Sequence, residues 1–269
     1  MFLAKVGKKS SGMTRHMRML AVLLVPVVAL ILTAPAPEGW AREIPFSRAK
    51  MIIEFNSSAN EGVGDVGVQV LLDGEPWKLV SMKRPDGLII LNILSSGSLR
   101  KQGLTELFFE SSEPSLDEVP LKEFLARFPE GKYEFEGRTI DGQEIEGEAK
   151  LTHVIPAGPV IVSPEAGDVV DPQNLVISWE AVTKKIEGSG AGDLKIVAYQ
   201  VIVERTDNDQ LGAAPRTFDI TLPATSDPTQ SVTVPPEFLE PGTEYKFEVL
   251  AIEKGGNQTI TEGGPFVTQ

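Results

Sequence analysis

The 269-residue sequence contains no cysteine. That excludes disulfides, thiolate nucleophiles, cysteine-ligated zinc and lipid attachment at an N-terminal cysteine. Histidine is almost as scarce. Of the two present, His16 lies in a basic leader, so His153 stands alone in the remainder and has no second histidine to help bind a metal. His153 shares parity with Ile145, Ala149, Leu151 and Ile155, which predicts a satisfied, half-buried side chain near a strand end. Nothing marks a serine nucleophile, and no glycine-rich loop sits between a strand and a helix where a nucleotide would bind. Basic residues are also few: 25 against 38 acids, a net charge of −13. Five of those bases and only one acid, Glu38, fall in residues 1–41, so the rest carries a net −17. Such a surface repels phosphate backbones and anionic lipid, which argues against nucleic-acid partners. It suits solubility, divalent cations or basic partners.

One long apolar run is present. Met19–Thr33 is 15 residues without a charge, preceded by a basic segment and followed by small residues at Gly39 and Ala41. As a helix it rises about 22 Å, short of a ~30 Å hydrocarbon core, so residues 1–41 are expected to be a cleaved signal peptide. No second apolar run follows, and the mature chain is not expected to span a membrane by a helix. Export to the periplasm or cell surface, in a bacterium, is the expected location.

With 20 Pro and 25 Gly, the remainder suits an all-β chain. Residues 48–156 alternate apolar and polar positions between turn signals. Asp73-Gly74, Asp86-Gly87 and Asp141-Gly142 each predict a tight turn between strands. A single short helix is expected near 117–128: Leu121, Phe124, Leu125 and Phe128 form one stripe, Ser115…Glu118 has capping-box spacing, and Pro129 ends the run. The acids Glu110, Glu113, Asp117 and Glu118 surround the turn before it. They are the candidate metal ligands, with calcium the one cofactor considered, because calcium takes six to eight oxygens from carboxylates and carbonyls. Glu134, Glu136, Glu144, Glu146 and Glu148 are expected on the outward face of the last hairpin, where charge discourages edge-to-edge aggregation.

Residues 157–269 follow the short linker Pro156-Ala-Gly-Pro159 and show seven strand signals. Three features carry a resemblance: Trp179 in the second strand, Tyr199 in the third, and Leu239-Glu-Pro-Gly-Thr-Glu-Tyr245 before the sixth. This stretch resembles a fibronectin type III module. The resemblance implies that Trp179 is the central core aromatic and Tyr245 a tyrosine corner, whose hydroxyl bonds to the upstream backbone. It implies a spacer or binding role without naming a ligand, and the Arg-Gly-Asp tripeptide of some members is absent.

A repeat links the halves. Pro129…Tyr133-Glu-Phe135-Glu136 and Pro241…Tyr245-Lys-Phe247-Glu248 share one frame 112 residues apart. Tyr133 therefore predicts a second corner, and the first domain an immunoglobulin-like sandwich. The expectation is two tandem β-sandwiches in a non-catalytic binding, adhesion or scaffolding protein with a protein or glycan partner. A carbohydrate-binding accessory protein and a calcium-dependent surface protein are the alternatives. The least patterned stretches, Ser57–Gly64, 110–128 and the glycines near 188, are where function is expected.

Overall fold

The computed structural model describes residues 43–58, 63–207 and 216–269. The predicted signal peptide, the middle of the Ser57–Gly64 loop and residues 208–215 lie outside them. The described residues are all-β, folded as two antiparallel sandwiches, with α-helices only in the first and one short 3-10 turn, Pro236–Phe238, in the second.

In the first sandwich, β1 (Ile44–Pro45) leads into β2 (Arg48–Asn56), then β3 (Asp65–Lys83), β4 (Ile89–Leu94), α1 (Gly97–Gln102), β5 (Leu104–Glu110), α2 (Leu121–Arg127), β6 (Gly131–Thr139) and β7 (Glu144–Leu151). Strand β3 belongs to both sheets. Its first half pairs with β2 and β5, and its second half with β4 and β6. Asp73-Gly74 is therefore not a hairpin turn, as its composition predicts, but the crossing point of a 19-residue strand. Glycine is needed there for close approach: a Cβ would lie 2.9 Å from the ring of Phe46 and 3.1 Å from Ile145. The other two Asp-Gly pairs do turn the chain, with Gly87 and Gly142 at φ 82° and 87°. Strand β7 pairs with β6, and β1 runs parallel beside β7 to close that edge.

The core takes Met51, Ile53 and Phe55 from β2, the alternate residues Val66 to Leu72 from β3, and Tyr133 and Phe135 from β6. Helix α2 lays Phe124 and Leu125 over it, with Leu121 and Phe128 at the margin. The helix starts at Leu121 behind Pro120, and Ser115 serves the preceding turn, accepting from Glu118 N at 3.4 Å. Helix α1 was not predicted; its six residues bury none of their side chains and so leave no periodic stripe.

The second sandwich has a three-stranded sheet, β8 (Val160–Ser163), β10 (Val176–Glu180) and β13 (Thr229–Thr233), in the order β13-β10-β8. Facing it are β11 (Ile196–Arg205), β12 (Thr217–Pro223), β14 (Glu244–Glu253) and β15 (Gln258–Thr268), in the order β15-β14-β11-β12. A two-residue strand, β9 (Val169–Val170), runs parallel to the end of β15. Inward positions of both sheets supply Ile177, Trp179, Tyr199, Val201, Val203, Tyr245, Phe247, Val249 and Phe266.

The two sandwiches share one sheet. β2 pairs in parallel with β15 through Glu54↔Gln258, Phe55↔Thr259 and Asn56↔Ile260, which joins the β2 side of the first sandwich to the four-stranded sheet of the second in a continuous ladder.

Candidate functional site

The domain junction gathers Ser57 and the glycine-bearing loop near 188, parts of the stretches that sequence patterning left unassigned. At its centre is Asn257, at the tip of the β14–β15 hairpin and only 2% exposed. Its carbonyl oxygen accepts from Ile53 N at 2.8 Å, and its amide nitrogen donates to Thr152 O at 2.8 Å and Val154 O at 2.9 Å. One side chain thus satisfies three backbone groups of the first domain and its linker. Asn257 also heads the sequon Asn257-Gln-Thr259; its buried, committed amide leaves no room for a glycan in the folded chain. Ser57 N and Oγ both donate to Ile260 O, at 2.9 and 2.7 Å, and Thr259 Oγ1 donates to Pro156 O at 2.6 Å. Gly158 passes so close to Ser57 and Thr261 that a Cβ would collide with both hydroxyls.

The glycine-bearing loop of the second domain makes a further contact. Ile186 packs against the first domain's core and its N–H donates to Ile155 O at 3.1 Å. Gly190 N donates to His153 O at 2.6 Å, and Lys185 Nζ bridges Gly190 O and Gly192 O. His153 is held from both sides, its N–H donating to Glu130 and its Nε2 lying 2.7 Å from Phe128 O.

Carboxylates crowd one side of the junction. Glu54, from β2, is 8% exposed and accepts from Gln258 Nε2. Its carboxylate and those of Glu110 and Glu113 all lie within 4.8 Å of one another. Two of the four predicted metal candidates are therefore brought together, and Asp117 and Glu118 are not among this group. Glu54 was missed because its place in an apolar strand gives no hint that β3 sets that strand beside β5 and its acidic end. Burial, then repulsion from Glu110, pushes the Glu54 carboxyl up to about 7. Glu113 rises to about 7 by desolvation and by the charges of Glu110, Glu54 and Asp65. Its side chain keeps considerable contact with solvent, so screening weakens its coupling, and Glu54 is the more consequential group. Asp65 is raised as well, by desolvation and Glu262, and its Oδ1 is buried without a partner among the described residues.

Away from the junction, the outward glutamates of β6 and β7 line a shallow cavity of about 410 Å³ with Leu79, Ser81 and Arg138. Lys83 pairs with Glu136, and Arg138 with Glu144. Trp77 and Trp179 are both buried, at 0% and 1% exposure, so neither offers a sugar platform.

The four aromatic positions singled out from the sequence are all in the cores. Tyr245 accepts from Glu240 N at 2.8 Å, bonding back across the turn that starts its strand. Tyr133 uses the opposite polarity, donating from its hydroxyl to Pro129 O at 3.1 Å. Tyr199 accepts from Val182 N at 2.7 Å and tilts against Trp179, ring centroids 5.3 Å apart.

Among solved structures, the chain is similar to a tetra-tandem repeat in the extending region of a large adhesion protein (13% identity, 80% of this chain, 48% of that one, TM-score 0.27). It is similar to the FN1–FN3 domains of chicken CNTN1 (11%, 82%, 64%, 0.29) and to a Ca2+-stabilised adhesin of an Antarctic bacterium (14%, 83%, 50%, 0.28). The chain thus spans about half to two thirds of those proteins, and scores this low transfer nothing from them. No characterised protein matches by sequence. The model of the fibronectin type III domain matches residues 163–266, the span containing Trp179, Tyr199 and the Tyr245 corner. This chain therefore carries a fibronectin type III domain as its second sandwich.

Proposed function

We propose that this is an exported, non-catalytic binding, adhesion or scaffolding protein of a bacterial envelope, in the periplasm or at the cell surface. Its two sandwiches hold a fixed separation and orientation while their outer surfaces meet a protein or glycan partner. The observation that carries this reading is the shared ladder between β2 and β15, locked by Asn257. Ser57 and the loop around Ile186–Gly190, from stretches expected to hold a site, are spent on joining the modules, which suits a spacer better than a flexible pair. The acidic surface favours a basic partner. Cell fractionation with crosslinking and pull-down tests this. Recovery from the envelope or medium with a crosslinked partner supports it; an unprocessed chain found wholly in the cytoplasm sinks it.

Calcium remains as a second reading, favoured by the mutual approach of Glu54, Glu110 and Glu113. A melting temperature raised by millimolar calcium, and no longer raised after Glu110→Gln and Glu113→Gln, supports it. An unchanged melting temperature ends it.

A further inference from the structure

The edges of the two sandwiches are guarded unequally. Strand β1 is two residues long and ends in Pro45, and β5 carries Glu106 and Glu110. Strand β8 lies between Pro159 and Pro164, β12 carries Asp219 and ends in Pro223, and β13 is framed by Pro228 and Pro235. Charges, prolines and shortness of this kind are what keep a strand edge from pairing with another molecule.

Strand β4 has none of these. Among the described residues it pairs with β3 on one side only. Residues 87–99 contain no charge and no proline. Leu91 and Ile93 turn inward onto the core, leaving Leu88, Ile89, Ile90 and Leu94 exposed at 37–64%, with Leu99 of α1 beside them in the chain at 54%. Such exposures amount to roughly 450 Å² of apolar surface on one copy, more than scattered surface residues contribute. Two copies covering all of it would bury at most about 900 Å², close to the ~1,000 Å² a specific interface needs.

We propose that β4 is a self-association edge: two copies of this chain pair their β4 strands antiparallel about a twofold axis, extending the β4-β3-β6-β7 sheet across the dimer. Three points favour a second copy as the occupant. An antiparallel twofold makes one strand self-complementary, with each β4 donating and accepting from its own equivalent. Two chains this acidic repel over most of their surfaces, and β4 is an uncharged place where they can meet. At its ends, Asp86 is already paired with Arg84, so the strand sets no unpaired carboxylate against a second copy.

Sedimentation of the compact unit, Ala41–Gln269, over a range of concentrations tests this. The expected result is a reversible monomer–dimer equilibrium that Ile89→Lys with Leu94→Lys weakens at least ~10-fold, while the melting temperature changes little, since both side chains are exposed. A second measurement identifies the strand. Because the chain lacks cysteine, Asn92→Cys introduces a single thiol for a spin label on exposed β4. Antiparallel pairing places the two labels within about 20 Å, given strands ~4.8 Å apart. A chain monomeric up to about 0.5 mM, a dimer indifferent to the lysine pair, or labels far beyond that distance overturns the proposal.

Discussion

Tyr133 and Tyr245 do the same mechanical task with opposite hydrogen-bond polarity: one donates to Pro129 O, the other accepts from Glu240 N. Both rings stay buried in either case, so removing the hydroxyl alone isolates the bond. Tyr133→Phe and Tyr245→Phe are each expected to cost about 1–2 kcal/mol in urea unfolding, without change in secondary structure by circular dichroism. Glu54 makes a prediction of different sign from the usual carboxylate. Its folded pKa, about 7, lies above the ordinary glutamate value of 4.5, so between those values the native state holds a proton that the unfolded chain has released. Stability from this group is therefore greatest below pH 4.5, falls as pH rises toward 7, and is fully lost above it. A shift of this size corresponds to up to about 3 kcal/mol. Glu54→Gln is expected to flatten the stability profile between pH 5 and 8 and to raise the melting temperature at pH 8.

Among the elements, those with long-period or alternating patterns were legible. Strand β14 announces itself by Tyr245, Phe247, Val249 and Ala251 on one face, and α2 by four apolar residues at helical spacing. What the sequence hid was what happens at strand ends and edges. Asp73-Gly74 has turn composition, but β5 and β6 pair on either side of it and keep β3 extended. Helix α1 is too short for periodicity to register. Two of the three carboxylates were visible as neighbouring acids, Glu110 and Glu113; Glu54 was invisible because it joins them across β3, where Gly67 pairs with Glu54 and Gln69 with Glu110. The linker element is equally constrained by neighbours remote in sequence. Gly158→Ala is expected to destabilise the chain by about 1–3 kcal/mol by forcing Ser57 and Thr261 apart, and a paired Ser57→Ala should recover part of that loss.

For the whole molecule, the buried junction predicts that the two sandwiches unfold together. Calorimetry is expected to show one transition with matching calorimetric and van't Hoff enthalpies. Asn257→Ala strands Ile53 N and the carbonyls of Thr152 and Val154, three backbone groups without their partner. A cost of about 2–4 kcal/mol and a split into two transitions are the expected outcomes. Two separate transitions already present in the unmodified chain would contradict the rigid-spacer reading.

The parallel sense of the β2–β15 ladder also decides how the chain would carry tension. Pulled from before Ile44 and after Thr268, β2 is drawn backward along its axis and β15 forward along the same line. The bonds at Glu54–Asn56 and Gln258–Ile260 are then loaded in shear, all at once, instead of being opened one by one. Load passes from the start of the first sandwich to the end of the second across three residue pairs, bypassing the two hundred residues between them. Those few pairs act as a mechanical clamp, and force spectroscopy on the unmodified chain should meet its highest resistance before either core extends.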